Sequence, residues 1–290
     1  MSVNNQKKKV FIHDVSICNG CYCCQIACKD EHVANDWTPY AKPQPDTGQF
    51  WLKLNEYIRG TVPKVKMHYI PTLCNHCDQP SCMSACPVSG AIYKREDGLV
   101  IIDPVKCTGC KNCVDGCPYG AIYFNEDLNL AQKCTGCAHL LDSGWKEPRC
   151  VDACPTQALK FLDESEAKEY IAKAEVMGAE HQTSPRAYYL NIPRKFIGGT
   201  LYDPVAREVI IGANCTLIDT ANGKSYSTET DGFGDFWFEG LPVSVFNLKI
   251  ASNGKKKMIE AISTEKDINL GNIALNKTVA RNITHPEKRG

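Results

Sequence analysis

A chain of 290 residues with 43% hydrophobic content has room for about two domain cores and is too apolar for wholesale disorder. Lys plus Arg and Asp plus Glu number 33 each, so the formal charge is zero and the basic surplus that a nucleic-acid footprint needs is absent. No apolar run approaches the ~18 residues of a membrane span, and Met1 to Lys9 is polar, with neither an apolar signal core nor a twin-arginine pair; the expectation is a cytoplasmic protein, or one exported attached to a signal-bearing partner.

In chain order, residues 1–162 are cysteine-rich with Cys-Pro punctuation. Val10-Phe11-Ile12 and Leu99-Val100-Ile101-Ile102 predict short strands flanking the cysteine loops. One phrase is written three times, as Cys86-Pro87-Val88-Ser89-Gly90-Ala91-Ile92, Cys117-Pro118-Tyr119-Gly120-Ala121-Ile122 and Cys154-Pro155-Thr156-Gln157-Ala158-Leu159. An Asp-x-x-x-Cys lead-in occurs at Asp14/Cys18 and Asp103/Cys107. Residues 163–197 form a link. Glu164 to Glu180 predicts a charged helix with Ala167, Tyr170, Ile171 and Ala174 on one face, and His181 to Lys195, with Pro185 and Pro193, an extended connector. Residues 198–275 alternate as strands do, in Cys215-Thr216-Leu217-Ile218, Phe236-Trp237-Phe238 and Val245 to Ile250. Turn pairs at Asn222-Gly223, Asp231-Gly232 and Asn253-Gly254 separate them, which predicts a small sandwich of about seven strands. Residues 276–290 read as a loose polar tail.

The cysteines carry the chemistry. Seventeen of eighteen lie between Cys18 and Cys154, a crowding that an evenly stapled disulfide protein does not show. They write four quartets: Cys18, Cys21, Cys24, Cys28; Cys74, Cys77, Cys82, Cys86; Cys107, Cys110, Cys113, Cys117; and Cys134, Cys137, Cys150, Cys154. The first and third have the two-two-three spacing of bacterial ferredoxins. Three thiolates two residues apart can wrap one cubane if the loop coils, and Gly20, Gly109 and Gly136 permit that path. The fourth cysteine is expected to start a helix that leads away and so to ligate the other cluster of a pair. Zinc also uses Cys-x-x-Cys pairs, but has no need of a third and fourth cysteine at this spacing followed by proline. The register of the third quartet makes Cys24 the ligand and Cys23 the spare. Cys215, alone in a strand pattern, reads as a buried structural thiol, and His76 as an ordinary loop residue. Lys106, Lys133 and Arg149 each precede a ligand cysteine; two readings stand for them, charges that raise cluster potentials or merely solvated charges, and the second is favoured for each one singly. No nucleophile–base set, phosphate loop or dinucleotide fingerprint is present, so no catalytic residue is assigned. The expected fold is α+β, a tandem bacterial-ferredoxin-like domain followed by a small all-β sandwich. Four 4Fe–4S clusters would add about −8 of charge to the neutral chain.

Beyond this, the order of the quartets, Cys28-Lys29-Asp30-Glu31-His32, and Lys133-Cys134-Thr135-Gly136-Cys137 with Pro148-Arg149-Cys150-Val151-Asp152-Ala153-Cys154-Pro155-Thr156 resemble the iron–sulfur subunits of the dimethyl sulfoxide reductase family of molybdenum enzymes. The resemblance covers about residues 10–160. It implies nested ligand sets: Cys18/Cys21/Cys24/Cys154, Cys134/Cys137/Cys150/Cys28, Cys74/Cys77/Cys82/Cys117 and Cys107/Cys110/Cys113/Cys86. Some relatives lack the cysteine at the Cys110 position and hold a 3Fe–4S cluster; its presence here implies four cubanes. The resemblance further implies a large partner subunit holding molybdenum or tungsten on a molybdopterin, and exchange of electrons with an external acceptor or donor. The C-terminal sandwich, with Trp37-Thr38-Pro39-Tyr40, is similar to that of members transforming polyphenols by hydroxylation or transhydroxylation, and Ser227 to Phe236 resembles carboxypeptidase-regulatory or Cna-B sandwiches. Transhydroxylating members have a degraded third quartet; the intact one here implies an electron exit. A respiratory-type reductase subunit, a free polyferredoxin and a zinc-binding module stand as alternatives.

Overall fold

A computed structural model describes residues 8–275. The predicted tail at 276–290 lies outside them. They form two units, residues 8–57 with 67–192, and residues 58–66 with 193–275.

The first unit repeats one construction: a strand runs into a cysteine loop, a short helix follows, and a Cys-Pro turn leads to the next strand. In chain order its elements are β1 (Lys9–Asp14), α1 (Cys23–Val33), β2 (Leu52–Thr61), β3 (Lys64–Leu73), α2 (Ser81–Ala85), β4 (Ile92–Lys94), β5 (Val100–Ile102), α3 (Asn112–Asp115), β6 (Ile122–Asn125), β7 (Leu130–Lys133), α4 (Ala138–Asp142), α5 (Arg149–Asp152), β8 (Leu159–Asp163), α6 (Lys168–Ile171) and β9 (Ala187–Leu190). The repeated phrases open strands as expected. Ala91, Ala121 and Ala158 are buried just before or at the starts of β4, β6 and β8. β4 pairs with β5 and β6 with β7, both antiparallel. β1 is the centre of a three-stranded sheet, antiparallel to β8 and parallel to β9, with Phe11 opposite both Phe161 and Ala187. The period of two sends Phe11 into the core shared with the cysteines and Val10 and Ile12 into a second cluster with Ala167 and Leu190.

The link departs from expectation. The helix over 164–180 shrinks to the four residues of α6 and a 3-10 turn at Ala179–His181. Glu175 leaves the helix to exchange two 2.8 Å backbone hydrogen bonds with Tyr189, and Gly178 turns at φ 69°. The predicted face packs only in part: Ala167 is buried, with Ile171 and Ala174 against the same cluster, whereas Tyr170 is exposed. The connector is partly a strand, β9, because Ala187, Tyr189 and Leu190 find buried places beside β1.

In the second unit β10 (Lys195–Asp203), β11 (Glu208–Val209), β12 (Asn214–Asp219), β13 (Ser225–Glu229), β14 (Asp235–Leu241), β15 (Val245–Ser252), β16 (Lys255–Ser263) and β17 (Ile268–Ala274) build two sheets. One has the order β11-β10-β14 with β17 parallel to β10; the other is β13-β12-β15-β16. Alternate residues Cys215, Leu217, Phe236, Phe238, Phe246, Leu248 and Ile250 fill the space between them. Asn253 and Gly254 (φ 46° and 74°) make the β15–β16 turn, as a type I′ turn requires. At Asp231-Gly232 it is Gly234, not Gly232, that takes the positive φ. The tip of the β2–β3 ribbon belongs to this unit: Arg59 makes a bidentate pair with Asp267 at 2.6 and 2.9 Å, and the buried Lys64 pairs with Asp235.

Candidate metal centre

Each cysteine loop starts where a strand ends: β1 before Cys18, β3 before Cys74, β5 before Cys107 and β7 before Cys134. The Asp lead-ins explain the approach. Asp14 Oδ1 accepts from the Ser16 N–H at 3.0 Å, and Asp103 Oδ1 from the Val105 N–H at 2.9 Å, so each aspartate caps the turn into its loop. The residue before the second cysteine of each loop has positive φ: Gly20 70°, His76 44°, Gly109 72° and Gly136 62°. That turn aims the N–H of His76 at Cys74 Sγ (3.4 Å) and that of Gly136 at Cys134 Sγ (3.3 Å).

The third cysteines, Cys24, Cys82, Cys113 and Cys150, lie within helices α1, α2, α3 and α5. The expectation that the fourth cysteine starts a helix is therefore corrected. Cys86 caps the end of α2, and Cys117 and Cys154 lie just past α3 and α5. Only Cys28 sits inside a helix, the longer α1. Pro87, Pro118 and Pro155 follow the other three and cannot continue a helix that needs their N–H.

No disulfide joins any of the eighteen cysteines. Their electrostatic neighbours sort sixteen of them into four groups that mix quartets. Cys24 feels Cys154, Cys18 and Cys21; Cys28 feels Cys134 and Cys137, and Cys150 feels Cys137, Cys28 and Cys134; Cys82 feels Cys74, Cys117 and Cys77; Cys113 feels Cys107, Cys86 and Cys110. One small, partly open cavity is lined by Cys74, Cys77, Cys82 and Cys117, with Asn75, Ser81, Val100 and Tyr119 among its other walls. Burial first, then neighbouring thiols, pushes Cys24 up to about 12 and Cys113 and Cys134 to about 11; burial also pushes Cys82 up to about 12, and Cys28 and Cys150 stand well above the usual thiol range. Without metal these thiols hold their protons, so metal entry releases them. Among the described residues no three His, Cys, Asp or Glu side chains close on a point as around a single ion. The donor set instead suits a thiolate-held cluster, and the buried Thr135 Oγ1 and His76 Nε2 in two of the loops lack a protein partner.

Cys23 is exposed, although it too feels Cys21 and Cys154; Cys24 is partly buried among the thiols, and Cys215 is fully buried in the sandwich core. Three histidines near the cysteines make specific contacts. His76 Nδ1 accepts from the Val100 N–H at 2.9 Å, which fixes the one loop that lacks glycine at its turn. His32 Nε2 lies 3.9 Å from Cys137 Sγ, and His139 contacts Glu31 at 3.0 Å while stacking on Trp37 at 4.2 Å. Lys106 pairs with Asp103 and Arg149 with Glu31 and Asp152, both partly exposed as expected. Lys133 contradicts its reading as a solvated charge, being 2% exposed. Its neighbours in sequence gave no signal of that burial.

Residues 65–164 match a 4Fe-4S dicluster domain and residues 197–276 a carboxypeptidase regulatory-like domain. The chain is 36% identical over 274 residues to the pyrogallol hydroxytransferase small subunit of Pelobacter acidigallici, spanning 90% of this chain and 97% of that one. It is 37% identical over 178 residues to one of the chains of the anaerobic dimethyl sulfoxide reductase of Escherichia coli (60% of this chain and 84% of that one). It is also 36% identical over 169 residues to the thiosulfate reductase electron transfer subunit of Salmonella typhi (58% and 83%). Among the described residues no helix is long and apolar enough to cross a membrane. With its thiol loops, its 4Fe–4S domain and a near full-length relative, the chain belongs to the iron–sulfur electron-transfer subunits of the molybdopterin oxidoreductases.

Proposed function

We propose that this chain holds four 4Fe–4S clusters on the nested sets Cys18/Cys21/Cys24/Cys154, Cys28/Cys134/Cys137/Cys150, Cys74/Cys77/Cys82/Cys117 and Cys86/Cys107/Cys110/Cys113, and relays electrons for a large molybdopterin subunit. The observation that carries it is the cavity whose thiols are three from one quartet and one, Cys117, from the next. A bound 4Fe–4S cluster takes up and returns one electron. The chain's own residues supply a linear order of sites. Cys28 and Cys150 both feel Cys24, linking the first two groups, and Cys134 feels Cys74, linking the next two. Cys82 and Cys113 share one apolar cluster, linking the last. Cys21 and Cys110, in the two outer groups, are exposed, while all four thiols of the second group are buried. Electrons then enter and leave at the outer groups, and apolar packing keeps water from the inner pair.

The chemistry is assigned to the partner, a molybdenum or tungsten subunit, in the cytoplasm or co-exported. The likeness to the pyrogallol enzyme's small subunit over the whole chain makes polyphenols the first substrates to test. The intact Cys107 quartet favours net electron flow to an external acceptor or from a donor, which keeps a respiratory-type reductase as the second reading. The test is size-exclusion chromatography of native extract with metal analysis: about sixteen irons per chain co-eluting with molybdenum or tungsten support the proposal. Elution alone at the 32.1 kDa chain mass overturns it in favour of a free carrier.

A further inference from the structure

We propose that Lys133 is a buried counter-cation shared by the two inner thiol groups, Cys28/Cys134/Cys137/Cys150 and Cys74/Cys77/Cys82/Cys117, and that it raises the reduction potential of both. This rests on the four-thiol reading above.

Lys133 ends β7 immediately before Cys134, and only 2% of it is exposed. Its Nζ donates to the carbonyl of Cys134 at 3.1 Å and, more closely, to the carbonyl of Val100. Val100 lines the cavity of the Cys74 group, so the ammonium reaches from one group to the wall of the other. Cys82 and Cys134 both feel its positive charge. No carboxylate pairs with it among the described residues. In this Lys133 is like the less buried Lys29, whose Nζ also donates to two carbonyls, those of Pro45 and Gln49, and differs from the paired cations near the loops: Lys94 pairs with Asp78, Lys106 with Asp103, Arg149 with Glu31 and Asp152, and the buried Arg186 with Asp78 and Glu164.

An ammonium buried without an acid is costly unless something anionic balances it. Among the described residues the hydrogen-bond partners of Lys133 are two carbonyl dipoles. A thiolate-bound cluster is net anionic and becomes more so when reduced by one electron. A fixed neighbouring cation therefore favours the reduced state, and more strongly in a dry site than at the surface. Holding the inner pair higher than the same ligands alone would hold them keeps an electron arriving at an outer group moving inward.

The test is an EPR-monitored redox titration of the intact complex carrying Lys133→Met, which keeps the side chain's length and removes its charge. Two of the titrating clusters are expected to shift to lower potential while the others stay in place, and Lys133→Arg, which restores the charge, is expected to bring both back toward the unaltered values. Should Lys133→Met fail to load iron, Lys133→Gln, which retains a donor for the Val100 carbonyl, takes its place. Full iron with no shifted cluster overturns the inference, as does an equal shift of all of them. A failure of the underlying site reading is seen separately, as missing clusters in the unaltered protein.

Discussion

Replacing Gly109 by alanine separates the two costs that the loop geometry carries. Gly109 has φ 72°, and a Cβ there would stand 2.5 Å from the backbone carbonyl oxygen of Asn129 and 2.8 Å from its side chain. The left-handed conformation alone costs an L-residue about 1–2 kcal/mol. The overlap is with backbone, which cannot swing aside, and adds about 1–3 kcal/mol by analogy with overpacked cores. The sum, about 2–5 kcal/mol, lowers the equilibrium occupancy of the loop's native shape by about thirtyfold or more. Gly48→Ala is the control, since Gly48 has φ 89° with nothing within 4 Å of the added carbon, so only the first cost applies. Iron per chain and the half-life of the visible cluster absorbance measure the result. Gly109→Ala is expected to lose about one quarter of the iron, one cubane of four, and Gly48→Ala none. Equal iron and equal half-lives would refute the claim that this turn shapes the Cys107 loop.

Cys24→Ala should perturb one cluster and Cys23→Ala none, as read by iron content; loss on the Cys23 change would mean that the ligand register is wrong by one residue. His13 is 3% exposed, and burial holds it at about 4 against an ordinary 6.5. The folded state then binds fewer protons than the unfolded one between those values, so stability is present above pH 6.5 and lost as pH falls toward 4, by about 3 kcal/mol for the full shift. Thermal unfolding at pH 7 and pH 5 should show a smaller drop in His13→Leu than in the unaltered protein. Leu217→Ala, in the fully buried sandwich core, should cost about 2–5 kcal/mol in the thermal unfolding of the sandwich and leave iron content unchanged. A fragment of residues 193–290 should give a metal-free β-type circular dichroism spectrum, but with a lower melting temperature than the sandwich in the whole chain, because Asp235 and Asp267 lose Lys64 and Arg59.

The cysteine register was legible because ligand spacing is a local constraint. Gly20, Gly109 and Gly136 turn where the spacing required, and the thrice-written Cys-Pro phrase opens β4, β6 and β8 each time. What sequence could not show was set by contacts distant along the chain. His76 takes a glycine's place because Val100, 24 residues on, donates to its ring. Lys133 looks like any surface lysine until β5 closes over it. The helix predicted over 164–180 had a sound apolar face, but Glu175 finds its partner in Tyr189 and the periodicity loses to that pairing. Strand β9 escaped notice because it is only four residues long and lies between Pro185 and Pro193, and the ribbon tip at 58–66 gave no sign that its Arg59 and Lys64 serve the sandwich.

The central claim is that ligands cross between quartets, and paired substitutions test it directly. Cys82→Ala and Cys117→Ala, though from different quartets, address one proposed group; Cys113→Ala and Cys117→Ala, from the same quartet, address two. Substitutions at one cluster are not additive, whereas those at separate clusters are. Mössbauer spectra of the double variants should place about one quarter of the iron in altered clusters for Cys82→Ala with Cys117→Ala, and about one half for Cys113→Ala with Cys117→Ala. The reverse result, one half for the first pair and one quarter for the second, would mean that each quartet binds its own cluster and would contradict the account.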